Sequence, residues 1–231
     1  MERSGITTNG RVRYDVGRIL MVPAACGILF LDVVSLFHTG TSRGTDPLRL
    51  VGAVLALAFY LVLIWCYLRR GPATATSRSF SAHVVAIAAT WLPFALPLVR
   101  GVSPGPVQQA VSDVLIVCGA GWSVWSLRFL GRNVSVLAQA RAVVDQGPYR
   151  WVRHPLYAGE IVSSLGVAIA MNSLAALGCW LVLCCMQVYR ALREEQVLLG
   201  ALPDYRDYRM RTAALVPGLF WRRAGSAPVR S

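Results

Sequence analysis

Residues 156–188 read LYAGEIVSSLGVAIAMNSLAALGCWLVLCCMQV, one apolar stretch whose polar break is Asn172-Ser173. A helix crosses about 30 Å of hydrocarbon in roughly 20 residues, so the stretch is too long for a single pass. Asn and Ser favour turns because their side chains bond the local backbone. The stretch therefore predicts a helical hairpin, with a first arm of about sixteen residues and a longer second arm. Working outward, residues 17–38, 48–68, 82–99 and 107–127 form four more apolar runs of spanning length. The expected fold is an all-α, polytopic membrane helix bundle of about six passes that ends in this hairpin.

The composition agrees. Hydrophobic residues make up 55% of the 231-residue chain, charged residues 15%, and the mean hydropathy is +0.52. A soluble domain carries about 25% charged residues. The net charge of +12 comes from 23 arginines with no lysine. Alone it would suit nucleic acid or an anionic surface; the apolar runs select the membrane, and no nucleic-acid partner is expected. The basic start (Arg3, Arg11, Arg13, Arg18) resembles a signal peptide, but the run after it reaches His38 without a small-x-small cleavage site. It reads as a retained first helix. Cys26, Cys66, Cys118, Cys179, Cys184 and Cys185 all lie in apolar runs without metal-site spacing, as small packing residues do.

Arginine placement orients the bundle. With six passes and the N-terminus inside, only Arg43, Arg49 and Arg100 of the 23 fall in outer loops. Cytoplasmic loops are the ones enriched in basic residues, so both termini are expected in the cytoplasm. Asp32, Asp113 and Glu160 lie within spans, where carboxylates are costly and call for a partner, water or a function. Pro93 and Pro97 should kink the third span.

The densest polar chemistry follows the fourth span. Gly147-Pro148-Tyr149-Arg150-Trp151-Val152-Arg153-His154-Pro155-Leu156-Tyr157-Ala158-Gly159 turns at Gly147-Pro148 and restarts a helix at Pro155. His154 is held extended before that proline, at the foot of a helix whose free N–H groups suit a carboxylate or phosphate. In the second block, Arg190-Ala191-Leu192-Arg193-Glu194-Glu195, Arg190 and Glu194 share a helix face, whereas Arg193 and Glu195 are expected to point elsewhere. The hairpin brings both blocks to the inner side. Taken singly, each block also fits a capped hairpin with a surface ion pair worth at most about 0.5 kcal/mol. Their combination points to chemistry.

Those two blocks, followed by Tyr205-x-x-Tyr208 and preceded by Leu130-Gly131-Arg132 and Val143-Val144, resemble the isoprenylcysteine carboxyl methyltransferase (ICMT) family, whose clan includes phospholipid N-methyltransferases. The resemblance covers about residues 130–217. It implies an integral membrane methyltransferase that uses S-adenosyl-L-methionine in a cytosol-facing pocket; no G-x-G-x-x-G turn of a soluble dinucleotide-type fold is present. Carried over by position, it implies cofactor contacts at Arg141, Val143, Val144, Tyr149, His154, Pro155, Leu156 and Tyr157, with Gln139 matching a family glutamine across a gap. Arg190 and Glu194 match the substrate-side arginine and glutamate, the candidate catalytic pair. The interval from Glu195 to Tyr205 is one residue shorter than the family pattern, which leaves the roles of Tyr205 and Tyr208 open.

The implied organisation is residues 1–127 as N-terminal membrane helices and 128–231 as methyltransferase core. The implied acceptor is apolar, lipid-like or isoprenoid, most similar to an isoprenylcysteine carboxylate, with phospholipid amines and small thiols as alternatives within the clan. A carboxylate needs no base and Arg190 would orient it; an amine or thiol needs one, and Glu194 is the candidate. From other classes, a sterol-type NADPH reductase and a non-enzymatic scaffold remain. Arginine without lysine suggests a GC-rich, bacterial genome, and hence a bacterial inner (plasma) membrane with the site facing the cytoplasm.

Overall fold

The computed structural model describes residues 6–8, 16–40, 47–71, 75–77, 79–96, 99, 101–135, 139–140 and 142–217. Six apolar helices follow one another: α1 (Val16–Gly40), α2 (Pro47–Arg69), α3 (Phe80–Ala95), α4 (Pro106–Leu130), α5 (Pro155–Ala170) and α6 (Leu174–Ala201). A short helix, α7 (Tyr205–Arg211), closes the described chain. Three helices are long and apolar enough to cross a membrane, those over Pro47–Arg69, Pro106–Asn133 and Leu174–Ala201; Met21–Val34, Phe80–Pro93 and Pro155–Ala170 are shorter apolar helices.

The expected helices form at the expected places. α5 has 16 residues and the hairpin turns at Asn172, whose φ is 44°. Asn tolerates this left-handed conformation better than most residues. Gln108 of α4 donates from Nε2 to Asn172 Oδ1 at 3.0 Å and to the Ile169 carbonyl at 3.0 Å, tying the turn to α4. α6 does not stop where the apolar stretch does. It continues unbroken through Arg190 and Glu195 to Ala201, carrying the second block beyond the apolar span on a rigid element.

A small sheet adds to the helical expectation. β1 (Ile6–Thr8), β2 (Ala75–Ser77) and β3 (Gln139–Ala140) pair antiparallel in that order, Thr7 opposite Thr76 and Thr76 opposite Gln139. Strands of two or three residues are too short for alternation to show in a sequence.

α4 packs along α5 more extensively than any other pair of elements meets. Small residues allow it: a Cβ on Gly119 would stand 2.4 Å from the Ser163 nitrogen, and one on Gly166 would stand 2.7 Å from the Ser112 carbonyl. Ser112 Oγ donates to the Gly166 carbonyl at 2.8 Å. Close backbone approach of this kind replaces the hydrophobic drive that lipid cannot supply between helices. The outer surface is apolar, with Phe30, Leu61, Val84 and Leu181 exposed, while Ser112, Asp113 and Gln187 are buried. At the Arg18 end, Arg18 donates to the Tyr67 and Arg70 carbonyls at 2.9 and 2.7 Å, joining α1 to the end of α2.

The carboxylates in the spans separate into two kinds. Asp113 accepts from Gln109 Nε2 at 2.8 Å and stands 3.6 Å from Arg49 Nε, so it is partnered. Asp32 and Glu160 face an internal cavity. Pro93 lies inside α3, two residues before its end; Pro97 lies outside the described residues. All six cysteines are free.

Candidate active site

The first block bends sharply. Gly147, at φ 58°, opens a 3-10 turn to Arg150, and a Cβ there would sit 2.7 Å from the Phe129 ring. Glycine answers both the positive φ and the close approach. The turn buries Tyr149, whose carbonyl accepts from the Tyr208 hydroxyl at 2.8 Å. The chain then runs beside the segment after α7: the Arg153 and His154 amides donate to the Ala213 and Ala214 carbonyls at 2.8 and 3.0 Å. α5 begins at Pro155, with His154 as its N-cap, as the sequence implies.

Two adjacent glutamates of α6 meet this strand of chain in different ways. Glu195, expected to point elsewhere, is buried at 5% exposure. Its Oε1 accepts from Arg153 Nε at 2.7 Å and lies 3.2 Å from His154 Nε2, and its Oε2 stands 3.0 Å from Arg209 Nε. Arg153 also donates to the Arg209 and Thr212 carbonyls. Glu195 therefore clamps the foot of α5 to α7. Burial alone would push its carboxyl up, but the hydrogen bond and charge of His154 and of Arg153 outweigh that and hold it down to about 2. Nearby, burial pushes the Tyr149, Tyr205 and Tyr208 phenols up, so all three are neutral at physiological pH.

Glu194 belongs to a second chain of contacts. It accepts from the Tyr157 hydroxyl at 2.8 Å, and its Oε2 lies 3.9 Å from His154 Nδ1. The His154 and Tyr157 rings are parallel, 5.5 Å apart. The Arg190 guanidinium lies over the Tyr157 ring at 4.7 Å and donates from Nη1 to Gln187 Oε1 at 3.1 Å. Gln187 Nε2 in turn donates to Glu160 Oε2. A continuous polar line thus runs from Glu195, near the end of α6, to Glu160, inside the bundle.

That line borders a cavity of about 450 Å³, whose wall combines Asp32, Phe59, Tyr60, Leu63, Ser123 and Glu160 with Tyr149, His154, Leu156, Tyr157, Arg190 and Glu194. Six of the candidate site residues therefore share one space with Asp32 and Glu160. Pro155 is buried behind it, its carbonyl accepting from Trp122 Nε1 at 2.9 Å. Val143 and Val144 are half-buried in the preceding segment and do not line the cavity; Gln139 lies in β3, and Arg141 lies outside the described residues. Glu160 and Gln187 were missed as a pair, although each sits one helical turn from a motif residue, Tyr157 and Arg190, on facing arms of the hairpin.

Among the described residues, no group of three or more His, Cys, Asp and Glu is placed to hold a metal. Residues 107–202 match the family described as phospholipid methyltransferase. The solved structure of the eukaryotic intramembrane Ras methyltransferase ICMT superposes with a TM-score of 0.54 at 18% identity, covering 86% of this chain and 76% of that one. The likeness to ICMT is one of fold, and the match to the phospholipid methyltransferase family covers residues 107–202 of the 231. Curated relatives include the cobalt-zinc-cadmium resistance protein CzcN of Cupriavidus metallidurans and the nickel-cobalt-cadmium resistance protein NccN of Alcaligenes xylosoxydans xylosoxydans. Each is 35% identical over 86 residues, 36% of this chain. Those matches span 39% and 40% of the relatives' own lengths, so the chain spans about two fifths of the curated relatives it matches.

Proposed function

We propose that the chain transfers a methyl group from S-adenosyl-L-methionine to an apolar, lipid-like acceptor, at a site opening to the cytoplasmic face of a bacterial inner membrane. Residues 128–231 form the core of this activity, with residues 1–127 supplying the membrane helices around it. The observation that carries the reading is the convergence of His154, Tyr157, Arg190 and Glu194 on one cavity of about 450 Å³.

The residues present fit the donor. It carries a carboxylate, for which the free N–H groups at the start of α5 and the ring of His154 are suited. It also carries a sulfonium cation, for which the Glu194 carboxylate and the Tyr157 ring offer an electron-rich neighbourhood. Tyr149, Pro155, Leu156 and Tyr157 supply the apolar and aromatic wall, with Gln139, Arg141, Val143 and Val144 assigned to the same donor segment. When bound, the donor supplies an electrophilic methyl group. The chain's task is then to hold the acceptor in line with it and exclude water. Arg190 and Glu194, which meet at Tyr157, are assigned to the acceptor. Arg190 is held there by Gln187, and Glu194 by the Tyr157 hydroxyl.

Calorimetry on the detergent-purified protein tests the reading. S-adenosylhomocysteine is expected to bind the wild type, and H154A to weaken it about tenfold. R190A and E194Q are expected to retain binding and lose transfer of radiolabelled methyl to host membranes. No binding to the wild type, or full transfer by both variants, overturns it.

A further inference from the structure

Arg190 faces the cavity, yet a hydrogen bond from deeper in the bundle helps to aim it. The Tyr157 ring lies under its guanidinium at 4.7 Å. A ring face offers no direction within its own plane, so it does not decide where the N–H groups point. The hydrogen bond from Arg190 Nη1 to Gln187 Oε1, at 3.1 Å, does. Gln187 stands one turn earlier on α6 and is fully buried. Its other end donates from Nε2 to Glu160 Oε2 on α5. One residue beyond Glu160, the Ile161 carbonyl accepts from Trp180 Nε1 of α6 at 3.0 Å, so the arms of the hairpin are already tied without the carboxylate. A carboxylate inside a membrane bundle is costly, and one that the hairpin does not need calls for another use.

The order of the three groups is determined by their chemistry. A carboxylate only accepts and a guanidinium only donates, whereas a glutamine amide donates at one end and accepts at the other. Between Glu160 and Arg190 the Gln187 amide satisfies both neighbours in one orientation alone, its NH2 toward Glu160 and its carbonyl toward Arg190. Turned over, it would set donor against donor and acceptor against acceptor, with no water at a fully buried side chain to repair the fault. Each charge also strengthens the bond to the other through the amide dipole. A neutral side chain at position 160 both donates and accepts, or does neither, and the polarity of the amide is then no longer enforced.

We propose that Glu160 is a positioning residue for methyl transfer: through the Gln187 amide it aims the Arg190 guanidinium into the cavity. The inference rests on the methyltransferase reading and deepens it. Glu160 acts through Gln187 on Arg190, and Arg190 acts on the acceptor.

The test compares the detergent-purified full chain with E160Q, Q187M and the exchange variant E160Q/Q187E. It reads three quantities: S-adenosylhomocysteine binding by calorimetry, radiolabelled methyl transfer from S-adenosylmethionine to host membranes, and modification of Arg190 by phenylglyoxal, followed by peptide mass spectrometry. E160Q is expected to bind S-adenosylhomocysteine as the wild type does, to transfer methyl about tenfold more slowly, and to expose Arg190 to faster modification. In the exchange variant the carboxylate at position 187 accepts from Arg190 and from the amide at position 160, so transfer and protection should return to within about threefold of the wild type. A carboxylate with a merely structural role would not be rescued by moving it to the other arm. Wild-type transfer by E160Q, slower transfer without faster modification of Arg190, or an exchange variant no better than E160Q overturns the inference. If E160Q does not fold, Q187M decides: it should show the same two changes, and wild-type behaviour there overturns the inference equally. Protection of Arg190 that is lost in E160Q and regained on exchange, in a chain that transfers no methyl, would uphold the relay and overturn the methyltransferase reading instead.

Discussion

Glu194 and Glu195 are neighbours in the chain, yet the helix turns them to different tasks. Glu194 is half-buried at the cavity and bonded to Tyr157, while Glu195 is buried among Arg153, His154 and Arg209. A carboxylate with three cationic or donor neighbours is an anchor, and its removal leaves Arg153 buried without its charge partner. E195Q is therefore expected to lower the thermal midpoint of the detergent-purified protein more than E194Q does, read by intrinsic fluorescence. The acid side carries the same signature. The Glu195 carboxyl titrates near 2 in the fold against an ordinary 4.5. A depressed carboxyl contributes stability that is complete above 4.5 and lost as pH falls toward 2; the shift corresponds to something on the order of 3 kcal/mol. Midpoint temperature measured from pH 5 down to pH 3 should fall in the wild type and fall less steeply in E195Q. An identical slope in both would assign the acid sensitivity to other groups.

At the scale of elements, the structure depends on how closely α4 and α5 approach. Gly166 faces the Ser112 carbonyl and Ile116, so G166A should cost about 1–3 kcal/mol through overpacking, whereas G178A, on the open face of α6, should leave the thermal midpoint nearly unchanged. Equal midpoints for the two would mean that the interface relaxes freely. The helices themselves were legible in the sequence because spanning length and apolar composition are local properties. The hairpin turn was legible too, because Asn172-Ser173 is the polar break in its apolar stretch. His154 at the foot of α5 followed from Pro155. What escaped was set by distant partners. Glu195 reads as an outward residue on a helical wheel, and Arg153 and His154, 42 and 41 positions earlier, with Arg209 on α7, make it an interior one. The cavity escaped for the same reason, since Asp32 and Glu160 lie on helices far apart in sequence. β1 to β3 offer too few residues for any pattern.

Over the whole molecule, arginine is distributed by end. The structure places Gly101 against Met171 and bonds Gln108 to Asn172, so the loop before α4 and the tip of the hairpin share one end of the bundle. The foot of α5, the end of α6 and α7 share another, held by Arg153, Glu195 and Arg209. Outer loops in the six-pass reading hold only Arg43, Arg49 and Arg100 of 23 arginines. By the positive-inside rule a bias of this kind is expected to orient the chain with its arginine-rich end in the cytoplasm, the orientation the proposed function requires. The prediction is a labelling pattern. In a background with the six native cysteines replaced, S103C lies on the exposed loop before α4 and Q146C on the exposed segment before Gly147. A membrane-impermeant maleimide applied to intact cells should modify S103C and leave Q146C untouched, and permeabilisation should expose Q146C. Reversal of that pattern would put the candidate site on the outer face, cut off from a cytoplasmic methyl donor, and the proposed reaction would fail with it.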